Sequence, residues 1–161
     1  LVRAQGVAPG MIELEMTESA LMNEPEKARL VASSLVEAGF CLSIDDFGTG
    51  YSSLSYLRRL QVSQLKIDQS FVQDLEHSAD ARAIVEAVVK LAHALGLSVV
   101  AEGVETAGQR EVLTGLGCDE LQGYLFAKPM AAGVMGEWAG NVGRPTDLAF
   151  TESVFLNSSH Q

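Results

Sequence analysis

The sequence predicts an α/β fold: a parallel sheet assembled from about five strand–helix units. Three observations carry that expectation. Short apolar, β-branched runs alternate with longer stretches of helical periodicity. Glycines stand where the helical stretches end. Acidic residues gather at the ends of the apolar runs, and a parallel sheet keeps its functional groups at the carboxyl ends of its strands.

The first strand is read at residues 11–16, in Met11-Ile12-Glu13-Leu14-Glu15-Met16. A helix follows over residues 24–38, with Ala28, Val31, Ala32 and Leu35 on one face. Asn23 reads as its cap, Pro25 suits its first turn, and Gly39 stops it. The second strand is Cys41-Leu42-Ser43-Ile44, and the third is Gln64-Leu65-Lys66-Ile67-Asp68. A long helix over residues 79–95 aligns Ile84, Val88, Leu91 and Leu95, between a Ser78 cap and Gly96. The fourth strand is Leu97-Ser98-Val99-Val100-Ala101. Thr106-Ala107-Gly108-Gln109 has capping-box spacing and opens a helix through Val112 and Leu113. A weaker fifth strand spans residues 121–126, and a short last helix residues 131–138. The length of 161 residues fits one domain, read as residues 1–140 followed by a tail at 141–161.

Composition excludes several classes. Hydrophobic residues are 47% and charged residues 20%, which suits a globular chain rather than a disordered or fibrous one. No apolar run is long enough for a membrane helix, so no direct membrane insertion is expected. Eleven Lys and Arg against 21 Asp and Glu give a net charge of −10, with no basic patch to follow DNA. Cys41 and Cys118 lack metal-ligand spacing and read as reduced thiols of a cytoplasmic protein. His77, His93 and His160 end no strand and are not read as ligands. The chain begins at Leu1 without a signal-peptide pattern and is read as a piece of something longer.

The candidate chemistry lies on one rim. Glu15 and Glu18 end the first strand, Asp45 and Asp46 the second, Lys66 and Asp68 the third, Glu102 and Glu105 the fourth; Gln122 falls on the fifth. Each has a structural alternative: Glu15 as a solvent-facing strand residue, the Asp pair as a turn or cap, Lys66 as half of a structural ion pair. Adjacent carboxylates repel unless a cation or proton separates them, and a lysine inside an apolar strand needs a partner. Convergent hard oxygens favour Mg²⁺ or Mn²⁺, and carboxylates with a lysine and two such ions suit phosphate-ester hydrolysis. Lys66 would hold the water or stabilise developing charge. The segment Phe47, Gly48, Thr49, Gly50, Tyr51, Ser52, Ser53 lacks both common glycine-rich phosphate-loop patterns. It is read as a mobile loop coupling the metal site to something outside, restrained by Glu18.

Five stretches then resemble one family. They are Glu15-Met16-Thr17-Glu18-Ser19, Asp45 through Ser53, Leu65-Lys66-Ile67-Asp68, Ala101 through Thr106, and Gln122-Gly123-Tyr124 with Lys128-Pro129. In order and spacing they resemble the EAL domain, a cyclic-di-GMP phosphodiesterase module of bacterial second-messenger signalling. The resemblance implies a (β/α)₈ TIM-type barrel, here incomplete, with two Mg²⁺ or Mn²⁺ ions and hydrolysis of cyclic-di-GMP to linear pGpG. It implies Glu15, Asp45, Asp46 and Glu102 as metal ligands, with Asp45 bridging. Lys66 would contact the catalytic water, Glu102 would also serve as general base, and Gln122 would support the water and metals. Glu18 would anchor the loop, Glu105 would stand behind the ligands, and the loop would lead to a homodimer interface. Upstream sensor or GGDEF domains and a cytoplasmic location, including the cytoplasmic part of a membrane-anchored protein, follow from the same likeness.

The Glu-Ala-Leu motif itself is absent, as is a metal-binding Asn of an early strand; both are expected upstream of Leu1. A barrel of this kind needs roughly 250 residues, so about 90 would lie outside this chain. Five strands cannot close, which leaves open sheet edges and, by expectation, apolar patches on the inward face. An inactive fragment serving dimerisation or ligand binding is therefore the alternative.

Overall fold

The computed structural model describes residues 2–48 and 57–141. Within them, strands β1 (Glu13–Thr17), β2 (Cys41–Phe47), β3 (Gln64–Ile67), β4 (Ser98–Ala101) and β5 (Glu120–Leu121) form one sheet in the order β1-β2-β3-β4-β5. All four pairings are parallel. The helices are α1 (Glu18–Asn23), α2 (Pro25–Glu37), α3 (Gln69–Gln73), α4 (Ala79–Ala94), α5 (Ala107–Leu116) and α6 (Ala132–Asn141). This is the expected α/β architecture, consistent with part of a TIM-type barrel.

The two faces of the sheet differ because side chains alternate along the strands, except at an irregularity in β2 between Ile44 and Phe47. Leu14, Met16, Leu42, Ile44, Leu65, Ile67, Val99 and Ala101 form the strand side of the apolar core. Ala28 and Ala32 of α2, Val85, Val89 and Ala92 of α4 and Leu113 of α5 meet them. The other face carries two rows by register. One is Glu15, Ser43, Gln64 and Ser98; the next is Thr17, Asp45, Lys66, Val100 and Glu120. Val100 is buried, yet it lies outside the core cluster. Among the described residues the expected apolar patches on the inward face are not found: Val100 apart, the strands present polar side chains there, and Gln64 reaches across to Glu120, Nε2 to Oε1, at 3.2 Å. β1 and β5 are the sheet's two edges, as expected.

Several local expectations need correction. Asn23 ends α1 instead of capping α2; Glu24 occupies that cap position without a side-chain bond, and Pro25 starts α2. The cap that operates is Thr17, whose hydroxyl accepts from the Ala20 N–H. Val31 is exposed, so the buried side of α2 is Ala28 and Ala32. On α4 the buried stripe is Val85, Val89 and Ala92, one residue on from the expected one, and Ile84 faces solvent. β2 runs three residues further than expected, through Phe47, and β5 stops at Leu121. The capping box on α5 forms as expected, and Gly117 closes that helix at φ 88°. Cys41 and Cys118 are free thiols, and burial, then Asp119, pushes Cys118 up to about 12. Among the described residues no helix is long and apolar enough to cross a membrane. Residues 142–161, most of the expected tail, lie outside the described ones.

The short β5 has a packing cause. Gln122 N–H donates to Ala101 O at 2.9 Å, and Val104 N–H donates to Gln122 O at 3.0 Å. This brings Gly123 against the Val104 backbone, where a Cβ would overlap its nitrogen and oxygen. Gly123→Ala should therefore cost about 1–3 kcal/mol of stability, because overpacked backbone has nowhere to move. Urea unfolding checks this; an unchanged midpoint would show that the turn yields freely.

Candidate active site

The site begins with an irregularity in β2. Register runs Ile44↔Leu65 and then Phe47↔Ile67, so Asp45 and Asp46 together oppose Lys66. Neighbouring strand residues normally point to opposite faces; a bulge of two residues against one lets both aspartates reach one rim. Asp46 takes the left-handed conformation at φ 55°, unusual outside glycine, and its N–H donates to Asp45 Oδ1 at 3.0 Å. The Gly48 N–H donates to Glu18 Oε2 at 2.9 Å. Gly48 itself has φ 101°, and a Cβ there would meet the Phe71 ring at 2.8 Å.

Lys66 stands at the centre with 7% of its side chain exposed. Its Nζ lies 2.5 Å from Glu15 Oε1, 2.5 Å from Glu102 Oε1 and 3.8 Å from Asp45 Oδ1. Burial pulls the ammonium pKa down, but hydrogen bonds to Glu102 and Glu15 outweigh it and hold the pKa above its ordinary value. The charge is therefore secure at neutral pH, and its stabilising contribution is lost only as pH rises through that raised value. Asp46 is shifted upward, by burial first and then by the charges of Asp45 and Asp68, against the pull of Lys66.

Beside this cluster opens a cleft of about 310 Å³, lined by Asp46, Asp68, Glu102, Glu105, Gln122 and Tyr124 among others. Gly103, at φ 71°, brings the β4–α5 loop close against α3, where a Cβ would lie 2.5 Å from Gln69 Cβ. The Gln109 side chain accepts from the Glu105 N–H at 2.8 Å and so fixes the loop's far end.

Glu15, Asp45 and Glu102 thus surround Lys66, while Asp46, Glu102, Glu105 and Gln122 line the cleft. Glu18 is buried behind the bulge. Phe47 is not a loop residue: it ends β2 and packs in the core. Gly48 forms the turn, and Thr49, Gly50, Tyr51, Ser52 and Ser53 lie outside the described residues. Asp68, expected on the rim without a role of its own, lines the cleft, and its carboxylate also caps α3 through the Ser70 N–H and hydroxyl. Two further cleft side chains carry no expected role. Gln69 opens α3 just past a strand end. Tyr124 gives no strand-end signal, because it sits in a turn.

The donor set suits a hard divalent cation by chemistry. Acidic side chains outnumber the one buried ammonium around the cleft, and hard carboxylate oxygens are the donors such a cation takes. In the geometry present, the carboxylates turn to Lys66, and among the described residues no three His, Cys, Asp or Glu side chains gather at ligand spacing.

Comparison with known proteins gives the family and the fold. The EAL domain family matches residues 1–129. Over 124 residues the chain is 51% identical to the bifunctional diguanylate cyclase/cyclic di-GMP phosphodiesterase MucR of Pseudomonas aeruginosa, covering 77% of this chain and 18% of that protein. The solved PaMucR phosphodiesterase in complex with c-di-GMP aligns with a TM-score of 0.81 at 47% identity, over 83% of this chain and 54% of that one. Klebsiella pneumoniae BlrP1 with manganese and cyclic-di-GMP aligns at 0.75 with 41% identity, over 80% of this chain and 33% of that one. The chain thus spans under a fifth of the curated relative and about half of the first solved structure.

The Glu18–Gly48 bond yields a prediction. Glu18→Ala leaves a part-buried N–H without its acceptor and should cost about 1–3 kcal/mol, with faster exchange at the Gly48 amide. Glu18→Gln keeps an acceptor oxygen and should cost less. Equal amide exchange in all three proteins would show that Glu18 does not hold the turn.

Proposed function

The chain belongs to the EAL domain family, and on that premise we propose that it is the C-terminal part of a metal-dependent phosphodiesterase that opens cyclic-di-GMP to linear pGpG. The observation that carries this reading is the bulge, which sets Asp45 and Asp46 opposite a buried Lys66 that Glu15 and Glu102 also contact. Glu15, Asp45, Asp46 and Glu102 would hold two Mg²⁺ or Mn²⁺ ions. Such ions, when bound, polarise phosphate oxygens and acidify water.

The chain's own groups divide the remaining work. Glu102 accepts a proton from the attacking water as it adds to phosphorus; the bond from phosphorus to the ribose oxygen breaks, and that oxygen takes a proton from solvent to leave as a hydroxyl. Lys66, held in its charged form, orients that water and stabilises the negative charge that develops. The Gln122 carboxamide orients water at the cleft wall, and Glu105 stands behind the ligands. Glu18 anchors the turn at Gly48, and a homodimer is part of the same reading. The reading extends to GGDEF or sensor domains on the same polypeptide and to a cytoplasmic site of action; the bifunctional name of the MucR relative supports a cyclase domain alone.

A second reading, a fragment that binds ligand or dimerises without turnover, is favoured by the open edges of β1 and β5. Five strands do not satisfy the tilt and stagger of a closed barrel. Residues 1–161 on their own should therefore give no appreciable hydrolysis with Mg²⁺ or Mn²⁺, and should self-associate in sedimentation. A monodisperse monomer with strong turnover would overturn that expectation.

In the whole protein, Asp45→Asn should lower cyclic-di-GMP hydrolysis by on the order of 10² or more. Lys66→Ala should remove roughly 3 kcal/mol of transition-state stabilisation, seen in kcat more than in KM. Chromatographic assay of pGpG release measures both. Full turnover by the Asn variant would remove Asp45 from the reaction, and an unchanged kcat in a folded Ala variant would do the same for Lys66.

A further inference from the structure

The loop that carries Glu102 and Glu105 runs from β4 to α5, and the segment after β3 touches it at two places. Near the cleft, Gly103 lies against Gln69. At the far end stands Glu76, a half-buried residue in the link between α3 and α4. The Thr106 hydroxyl donates to Glu76 Oε2 at 2.7 Å. Glu76 starts from a fixed backbone. Arg82 donates from Nε to Leu75 O at 2.6 Å and from Nη2 to Glu76 O at 2.7 Å, and Leu75 is fully buried. Gly108, in the first turn of α5, leaves the room for the carboxylate. A Cβ there would overlap the Glu76 carboxylate oxygen and lie 2.7 Å from Cδ and 3.3 Å from Cγ. Turning the carboxylate would not relieve that overlap, so the whole arm would have to withdraw.

We propose that Glu76 is a positioning residue for the cleft: its bond to Thr106 fixes the far end of the β4–α5 loop and, through it, the placement of Glu105 and Glu102. The inference rests on the phosphodiesterase reading for what those carboxylates do, and deepens it by naming a residue, not itself in the cleft lining, that holds them. A threonine hydroxyl has one hydrogen to give. Spent on Glu76, it leaves the lone pairs of the oxygen to the Gln109 N–H, which donates to Thr106 Oγ1 at 3.0 Å. The buried Gln109 side chain in turn accepts from the Glu105 N–H at 2.8 Å and the Thr106 N–H at 3.1 Å. The setting of Thr106 is thus passed to the backbone of Glu105, which lines the cleft. The near end of the loop is pinned separately: the Glu102 N–H donates to Ile67 O at 3.1 Å and the Val104 N–H to Gln122 O at 3.0 Å. Without Glu76 the far end rests on the capping box alone, and the Thr106 hydroxyl is free to rotate. A carboxylate at the first turn of α5 also complements the helix dipole.

The test compares the whole protein with its Glu76→Ala, Glu76→Gln and Gly108→Ala variants. Amide exchange is followed without metal, and cyclic-di-GMP hydrolysis with Mg²⁺ or Mn²⁺. Glu76→Ala loses one charge-assisted bond, so exchange at the Glu105 and Thr106 amides should quicken about tenfold. Its kcat should fall about five- to tenfold while KM stays within about threefold. Glu76→Gln keeps an acceptor oxygen for Thr106 and should recover most of both losses. Gly108→Ala separates positioning from stability. Alanine is favoured over glycine within a helix, which offsets the lost bond, so the melting temperature should stay at the wild-type value. The new Cβ evicts the carboxylate, so exchange and kcat should nonetheless change as in Glu76→Ala. Wild-type exchange in Glu76→Ala or Gly108→Ala overturns the positioning role, and so does faster exchange at unchanged kcat. Losses that follow the melting temperature, with Gln no better than Ala, overturn it as well. If the whole protein hydrolyses no cyclic-di-GMP, the phosphodiesterase reading falls; faster exchange in the Ala variants, restored by Gln, then still upholds the hold of Glu76 on Glu105, and unchanged exchange overturns it.

Discussion

A buried ammonium with three carboxylates around it is the constraint on which the rest of the structure depends. Lys66 belongs to β3, while its partners come from β1, from β2 and from the end of β4. Four consecutive strands are therefore tied at one rim by a single side chain. Desolvation makes such a charge costly unless every partner is in place. The register has to comply: a one-residue slip in β1 would turn Glu15 to the helix side and bring Leu14 or Met16 to the rim. The same cluster that specifies the strand alignment thus assembles the groups that chemistry on a phosphate needs.

The bulge in β2 is the second requirement, and it follows from the first. A regular strand would offer the cluster Asp45 and send Asp46 into the core. Two residues opposite one solve this, with Asp46 in a conformation that side chains adopt reluctantly. The bond from Gly48 to buried Glu18 secures the turn immediately after, and the core packing of Phe47 fixes it between. The irregular backbone is thus held on both sides by regular packing.

The fold also explains how so acidic a site coexists with a stable body. All of the large apolar strand residues in the core serve the helix side of the sheet. The opposite face is left mainly to polar groups, some of them paired, as Gln64 is with Glu120 and Lys66 with Glu15, while the buried Ser43 hydroxyl has no hydrogen-bond partner. Changes on that face can alter chemistry without removing the apolar core. Ala28 and Ala32 of α2 and Ala92 of α4 are buried in the core on the helix side of the sheet.

The sequence by itself determined the class of fold, the five strands in order, the α5 capping box and the rim on which the carboxylates and Lys66 meet. These are local or periodic properties: alternation, glycine stops and strand-end polarity are written in neighbouring residues. The five motifs added the family. Only the tertiary structure decided what depends on contacts distant in the chain. The bulge is invisible in Ile44-Asp45-Asp46-Phe47, because it exists only against the register of β3. The true buried stripe of α4 and the exposure of Val31 depend on how each helix is rotated over the sheet, which a periodicity of 3.6 residues does not set. Asn23 suits a cap by type, but the Thr17 cap begins α1, and Asn23 falls inside it as its last residue. The cleft position of Tyr124 arises from a Gly123 contact with a backbone 19 residues away in sequence, a separation that no local pattern spans.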